Sequence, residues 1–110
     1  MLQTQTAQVL KFNYYHSVRK FLRVNTCIYA QCFQKACTVV NVSSGGAGLI
    51  FVERIDPGSN VKIEIQTNSG LITLSGKIVW STYEGPGIYP AGMEFYETLP
   101  INVFVELVEE

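Results

Sequence analysis

Residues 61–80 read VKIEIQTNSGLITLSGKIVW. Over residues 61–66 apolar and polar side chains alternate without interruption, which is the period-two pattern of a half-buried β-strand. Asn68-Ser69-Gly70 then predicts a hairpin loop, because asparagine and glycine tolerate the backbone conformations of a tight turn. A longer strand follows, and four of its apolar residues are predicted to share one face: Ile72, Leu74, Ile78 and Trp80. Gly76 lies between them and predicts a bulge or a barrel corner.

Three strands are predicted before this hairpin, at residues 24–33, 36–42 and 49–52. The second and third are separated by a glycine-rich turn at residues 43–48. Asp56-Pro57-Gly58-Ser59 predicts a type II turn, because proline presets φ at the second position and glycine supplies a positive φ at the third.

One more strand is predicted after the hairpin. Residues 84–90 predict a loop, and Met93 and Phe95 are expected to point inward from the strand that follows it. Six short strands at hairpin spacing indicate a mainly all-β fold, a closed or nearly closed six-stranded antiparallel β-barrel. Closure would also remove exposed strand edges.

The C-terminal segment fits two periodicities. Pro100 suits the first turn of a helix, and apolar residues recur beyond it at helical spacing: Ile101, Phe104, Val105 and Val108. The alternation of a strand is also present, at Ile101, Val103, Val105 and Leu107. We predict a short C-terminal helix packed on the barrel. Residues 1–17 carry few structural signals and are predicted to be a flexible N-terminal segment, so that the domain spans residues 18–110.

The bulk properties indicate one globular domain. The chain has 110 residues, of which 47% are apolar and 15% charged, a balance typical of a folded protein. No apolar run approaches the roughly 20 residues that span a bilayer, and the first residues lack the apolar core of a signal peptide. We therefore expect a cytoplasmic protein without membrane insertion. The cysteines are expected to be small buried side chains: Cys27, Cys32 and Cys37.

The charges are distributed unevenly along the chain. Residues 1–52 contain five basic residues and no acid, whereas the chain from Glu53 onward contains nine acids and three basic residues. An acid-free half suits a small anionic ligand, although chance on a solvated surface explains the same asymmetry. It is too weakly basic for a nucleic-acid surface, which needs many phosphate contacts, so neither DNA nor RNA is expected as a partner.

The sequence offers no recognisable catalytic centre. His16 is the only histidine, and Asp56 is already explained by its turn. The chain has no Gly-x-Ser-x-Gly elbow and no glycine-rich loop followed by Gly-Lys-Ser/Thr. Cys-x-x-Cys spacing is also missing, so no metal site is predicted. We therefore expect neither catalytic residues nor a cofactor.

Two short segments have ligand-binding character. Arg19 and Arg23 are four residues apart, which places their guanidinium groups on the same side of a helix or of an extended chain. Guanidinium donates paired hydrogen bonds to phosphate oxygens or to the O6 and N7 atoms of guanine. The second segment contains Asn41 at the end of one predicted strand, Ser43 at the start of the turn that follows, and Gly46 within that turn. Consecutive amides in such a turn can bind an anion, and glycine admits a ligand close to the main chain. A plain hairpin turn is the alternative interpretation.

Together, the pattern Arg-x-x-x-Arg followed one hairpin later by Asn-x-Ser-x-x-Gly resembles the PilZ family of cyclic diguanylate (c-di-GMP) receptors. Three further segments resemble strands of that family: Gly48-Leu49-Ile50-Phe51, Ile78-Val79-Trp80 and Gly92-Met93-Glu94-Phe95. The resemblance covers residues 18–96 in the same order and implies a six-stranded barrel with a C-terminal helix.

The resemblance also implies a function. Arg19 and Arg23 would hold phosphate and the Hoogsteen edge of guanine, Asn41 and Ser43 would bond a guanine's polar edge, and Gly46 would give access to the backbone. Secondary candidates are Lys20, Ser44 and Gly48. The implied protein is a non-enzymatic signalling receptor that changes conformation when it binds c-di-GMP and acts through a downstream effector protein. The alternative is a PilZ-like structural adaptor, for example in pilus or motility assembly, that binds no nucleotide.

One position departs from the family pattern. Many relatives carry an additional arginine immediately before the first motif, where this chain has Val18. In the family that position bears on whether one ligand or a stacked pair is bound, so a single bound ligand is expected here.

Overall fold

The computed structural model describes residues 23–33 and 35–109. These residues form six strands and one helix: β1 (Val24–Cys32), β2 (Lys35–Val42), β3 (Gly46–Phe51), β4 (Asn60–Thr67), β5 (Gly70–Ser81), β6 (Tyr89–Phe95) and α1 (Ile101–Val108). The predicted six-stranded barrel with a C-terminal helix is confirmed. The predicted flexible segment of residues 1–17 lies outside the described residues.

The strands close into an antiparallel barrel in the order β1-β2-β3-β6-β5-β4. The seam between β4 and β1 is short, because only Gln31 with Glu64 and Cys32 with Ile63 pair across it. Closure nevertheless gives each strand a neighbour on both sides, which is the arrangement that the six short strands predicted.

Alternation along the strands fills the interior of the barrel. β4 is strictly two-faced, since every second residue from Val61 onward is buried. The largest side chains with almost no exposure line this interior and include Phe51, Leu49, Ile63, Ile65, Leu74 and Ile78. Burying a side chain of this size stabilises a fold by roughly 1.5–3 kcal/mol, so the core provides the main driving force for closure.

The starts of β3 and β6 differ from the predicted ones. β3 begins at Gly46, so the turn before it is shorter than the predicted 43–48. The reason is pairing, because β3 is bonded to β6 from the pair Gly46 and Glu94 onward. The predicted loop at 84–90 also ends earlier, since Tyr89 and Pro90 already belong to β6. Glycine and proline residues therefore lie inside the sheet, where local pattern indicated irregular backbone.

A bulge in β5 changes the orientation of Trp80. Ile78 pairs with Met93, but Trp80 pairs with Gly92, so the register shifts at Val79. The side chain of Trp80 therefore points outward and is 49% exposed. The prediction that Trp80 shares the buried face of Ile78 is wrong, because the extra residue reverses the alternation. At Gly76, of the two predicted alternatives, the bulge is wrong, since β4 and β6 both pair with β5 in regular register there, and the barrel corner stays a prediction.

The C-terminal segment is helical, which resolves its double periodicity. Pro100 is the N-cap residue of α1, and its carbonyl oxygen accepts bonds from the amides of Val103 and Phe104 at 3.0 Å each. The buried face consists of Phe104, Leu107 and Val108. Ile101 is exposed, so its predicted place on that face is wrong. No helix in the described part of the chain is long and apolar enough to cross a bilayer.

The three cysteines have different surroundings. Cys32 and Cys37 are buried, as predicted, but Cys27 is exposed. Alternation explains the difference, because Ile28, Ala30 and Cys32 occupy the inward positions of β1 and Cys27, directly before Ile28, is on the other face. Burial raises the pKa of the Cys37 thiol to about 12, with a smaller contribution from the neighbouring Cys32. Burial also raises the pKa of the Cys32 thiol.

A thiol reagent is therefore expected to label one cysteine per folded chain at pH 8, and Cys27→Ser is expected to abolish that labelling. Thiolate is the reactive form, and burial both shields the thiols of Cys32 and Cys37 and raises their pKa. Mass spectrometry before and after unfolding in denaturant checks the count. Rapid labelling of Cys32 or Cys37 in the folded protein would contradict the burial of these residues.

Candidate functional site

The two sequence motifs meet at the start of β1 and the end of β2. Arg23 directly precedes β1, and β1 pairs with β2 so that Val24 is opposite Val42. Nη1 of Arg23 donates a hydrogen bond to Oδ1 of Asn41 at 2.5 Å. The amide of Gly48 donates to the same oxygen at 3.0 Å. The arginine of the first motif and the asparagine of the second are thus in direct contact.

A bulge turns Asn41 towards solvent. Cys37 and Val39 are inward residues of β2, so regular alternation would also direct Asn41 inward. The register between β2 and β3 shifts between Val39 and Asn41, and the additional residue, Val40, moves the amide to the outer face. Bulges are a common means of re-aiming a side chain near a functional site.

Gly48 and Gly92 form a flat floor on the outer face of the barrel. They pair with each other across β3 and β6, which places their Cα atoms about 4.5–5.5 Å apart. A Cβ atom on Gly48 would lie 2.6–2.9 Å from the amide group of Asn41, and one on Gly92 would overlap with Nε1 of Trp80. The side chain of Asn41 therefore lies against Gly48, and that of Trp80 lies against Gly92 on the neighbouring strand.

A shallow groove of about 520 Å³ runs over this floor. Its lining includes the polar or aromatic side chains of Arg23, Asn41, Trp80 and Glu84, with Gly48 and Gly92 at its base. Arg23 and Asn41 lie at one end. Trp80 lies at the other end, on β5, with β3 and β6 between β5 and β2, and Glu84 lies in the loop that follows β5. The groove thus combines a cation, an amide, an aromatic surface and an acid.

Trp80 and Glu84 were not among the residues that the sequence singled out for the site. Alternation along β5 predicts Trp80 in the core, because it places this residue in phase with Ile78. Glu84 lies in the loop between β5 and β6, where an isolated acid carries no distinguishing signal. The signal that could have identified Trp80 is its position in β5 opposite Gly92, which only the pairing of the strands reveals.

Ser43 is enclosed by its own turn. Its hydroxyl accepts hydrogen bonds from the amides of Gly45 at 3.3 Å and Gly46 at 3.1 Å, and it donates to the carbonyl oxygen of Gly46 at 3.3 Å. Only 2% of Ser43 is exposed. The amides that could form an anion-binding nest are therefore bonded to Ser43, whose side chain shapes the turn.

Gly46 is required by the neighbouring strand. A Cβ atom at this position would overlap with the carbonyl oxygen of Met93, so a larger residue would collide with the backbone of β6. Among the described residues lining the groove, neither Ser43 nor Gly46 is present, whereas the secondary candidate Gly48 is.

The turn of residues 43–45 is also bonded to the C-terminal part of the domain. The carbonyl oxygen of Gly45 accepts a bond from the amide of Phe95 at 2.9 Å, and that of Ser44 accepts one from the amide of Leu99 at 2.8 Å. Leu99 directly precedes the N-cap of α1. The second motif is therefore connected by hydrogen bonds to the segment that positions the helix.

Two of the predicted residues, Arg19 and Lys20, lie outside the described residues, as does His16. Within residues 23–33 and 35–109 no group of three or more histidine, cysteine, aspartate or glutamate side chains is placed to hold a metal ion.

Comparison with known proteins gives a match of family and a match of fold. The model of the PilZ domain family matches residues 17–109. The solved structure of the Bacillus subtilis inhibitor of motility (MotI/DgrA) is similar with a TM-score of 0.63 and 13% sequence identity, over 81% of this chain and 47% of that one. The chain thus spans about half the length of that protein, and at this identity the likeness concerns the fold. None of the curated proteins matches the chain in sequence. Because the family match extends over most of the chain, this protein belongs to the PilZ domain family.

Proposed function

We propose that this protein is a c-di-GMP-binding signalling receptor that changes conformation on ligand binding and acts through a protein partner. The PilZ domain is the domain of a family of c-di-GMP receptors and is typically a non-enzymatic binding domain. The observation that carries the proposal is the contact between Arg23 and Asn41 in a groove that also contains Trp80.

The hydrogen bonds of this pair leave suitable groups for a nucleotide. Oδ1 of Asn41 accepts from Arg23 and Gly48, so its Nδ2 group can donate to acceptors such as guanine O6 or N7. A guanidinium group has five N–H donors, and the bond to Asn41 uses one of them. The others can form paired bonds to a phosphate of c-di-GMP. The orientation of both side chains therefore supports binding of a phosphate next to a purine.

Arg19 is proposed to supply a second guanidinium group, because its spacing from Arg23 places both on one side of the chain. Lys20 would add charge beside it. The proposed roles of Ser43 and Gly46 are indirect: Ser43 shapes the turn, and Gly46 lets β3 pair closely with β6. Ser44 is proposed to act through its carbonyl oxygen, which is bonded to Leu99. Binding at Asn41 would then shift α1 through this connection and change the surface offered to an effector protein.

Trp80→Ala is expected to weaken c-di-GMP binding about tenfold, because stacking of a base on an aromatic ring contributes about 1–3 kcal/mol and this ring is half exposed. Trp80→Phe should retain much of the affinity, since it keeps an aromatic face. Calorimetric titration measures both variants. Trp80 is the only tryptophan of the chain, so its fluorescence should also change on binding. An unchanged affinity in Trp80→Ala would contradict a stacking role.

Titration calorimetry with c-di-GMP, and with GTP and cyclic AMP as controls, tests the proposed function. The expected result is saturable binding of one c-di-GMP per chain and much weaker binding of both controls. No binding by the folded protein would refute the proposal. A stable protein partner captured equally well with and without c-di-GMP would then favour the structural adaptor. A cytoplasmic location is part of the same proposal, because PilZ proteins are usually cytoplasmic.

A further inference from the structure

The groove that we assign to a dianionic ligand contains an acid. Glu84 lines it at the end occupied by Trp80, while Arg23 lies at the opposite end beside Asn41. The ion pair found among the described residues joins Arg54 and Asp56, so Glu84 forms none with Arg23 or another described cation. A carboxylate in this position repels phosphate and needs a different explanation.

The backbone of Glu84 is held by the hairpin that joins β5 to β6. Its amide donates to the carbonyl oxygen of Ile88 at 3.0 Å, and the amide of Thr82 donates to Pro90 at 2.9 Å. The rings of Tyr83 and Tyr89 pack with their centroids 5.3 Å apart. On the other side of Glu84, the carbonyl oxygen of Gly85 accepts a bond from the amide of Ile88 at 3.0 Å. These contacts hold the backbone on both sides of Glu84, which lines the groove.

The chemistry of a carboxylate restricts what it can bind here. An ionised carboxylate only accepts hydrogen bonds, through two oxygens that suit a pair of parallel donors. The phosphates of a cyclic dinucleotide offer no donor at neutral pH. Guanine does, because its Watson–Crick edge carries the N1–H group and the exocyclic 2-amino group side by side. Adenine presents an acceptor at N1 and no amino group at position 2.

We propose that Glu84 determines specificity for guanine, by accepting hydrogen bonds from N1–H and the 2-amino group of a base stacked on Trp80. The inference rests on the proposed function and assigns the two ends of the groove to different parts of the ligand. Arg23 and Asn41 bind phosphate and acceptor atoms at one end, and Glu84 binds donor atoms at the other. An adenine base in this place would set its N1 lone pair against the carboxylate.

The direction in which Glu84→Gln changes the affinity for c-di-GMP distinguishes this role from that of a residue that only lies near the ligand. If Glu84 merely lies near the ligand, Glu84→Gln removes repulsion of a dianion and tightens binding of every cyclic dinucleotide. If Glu84 binds guanine, the same change removes two charge-assisted hydrogen bonds and sets an amide N–H group against the donors of the base. Binding of c-di-GMP then becomes weaker.

The experiment is calorimetric titration of the wild type, Glu84→Gln and the control Glu94→Gln with three ligands: c-di-GMP, cyclic di-IMP and cyclic di-AMP. Cyclic di-IMP lacks the 2-amino groups but retains N1–H, O6 and N7. Glu94 is an exposed acid on β6 that does not line the groove. Circular dichroism of each variant verifies that the barrel is folded.

The wild type is expected to bind c-di-GMP most tightly. Glu84→Gln should lower the affinity for c-di-GMP roughly tenfold or more. It should lower the affinity for cyclic di-IMP less and leave the affinity for cyclic di-AMP unchanged or slightly higher. Glu94→Gln should resemble the wild type. Equal or tighter c-di-GMP binding in Glu84→Gln would overturn the inference and leave the proposed function standing. A wild type that binds none of the three ligands would refute both.

Discussion

Arg23→Ala is expected to lower the affinity for c-di-GMP by roughly 100-fold or more, since it removes a pair of charge-assisted bonds worth about 1.5–3 kcal/mol each. The substitution also releases Asn41, whose Oδ1 atom accepts from Arg23 at 2.5 Å. The change therefore affects the orientation of the amide as well as the charge. Because Arg23 is exposed and precedes β1, the stability of the barrel should hardly change.

Two further variants make this prediction specific. Arg23→Lys keeps the positive charge but not the planar fork, so its affinity should lie between those of Arg23→Ala and the wild type. Arg54→Ala removes another exposed arginine, which is bonded to Asp56 outside the groove, and should bind c-di-GMP like the wild type. Calorimetric titration of all three at one salt concentration provides the comparison. Equal affinities for Arg23→Ala and Arg54→Ala would show that the site is wrongly assigned.

Gly46→Ala is expected to lower the free energy of unfolding by about 2–4 kcal/mol, because the new methyl group collides with a backbone that cannot move freely. The clash is between the Cβ atom of the introduced alanine and the carbonyl oxygen of Met93. That carbonyl group belongs to β6, and every residue of β3 pairs with β6. Relief would require the two strands to separate at this end, with loss of adjacent ladder bonds.

Gly48→Ala is the matched control, since it introduces the same methyl group two residues further along the same strand. Its nearest neighbours are the amide atoms of Asn41 at 2.6–2.9 Å, and a side-chain amide can rotate away. The cost in stability should be small, below about 1 kcal/mol, but the displaced amide should weaken c-di-GMP binding.

Urea unfolding and calorimetric titration of both glycine variants measure the two effects separately. The expected pattern is a large loss of stability for Gly46→Ala and a loss of affinity at nearly normal stability for Gly48→Ala. If Gly46→Ala unfolded like the wild type and failed only to bind c-di-GMP, Gly46 would serve the ligand directly. Close pairing of β3 with β6 would then not be the reason for a glycine at this position.

Much of the barrel can be predicted from local pattern. In β4 every outward position is polar, and every inward position is apolar except that of the last residue, Thr67. Alternation alone therefore identifies the strand and its buried face. The loops between strands are similarly local, as at Gly58, where φ is +90° and only glycine is unstrained. Such features depend on neighbours in sequence, which is why composition and spacing suffice to predict six strands and their approximate limits.

The two motifs could be found in the sequence, but the different roles of their residues could not be predicted from it. Arg23 and Asn41 are in contact because β1 and β2 form a hairpin, which local pattern does predict. Ser43 and Gly46, by contrast, owe their surroundings to β6 and to their own turn. A motif records which residues occur together and does not distinguish those that face a ligand from those that support the backbone.

The orientations of Asn41 and Trp80 depend on tertiary structure alone. In an unbroken strand both residues would face the core, in phase with Val39 and Ile78 respectively. A bulge before each one reverses its direction, and bulges arise from the fit of neighbouring strands around a closed barrel. The floor of Gly48 and Gly92 likewise exists only because β3 and β6, distant in sequence, pair with each other. Alternation thus determines which strands form, whereas register across the barrel determines which side chains meet in the groove.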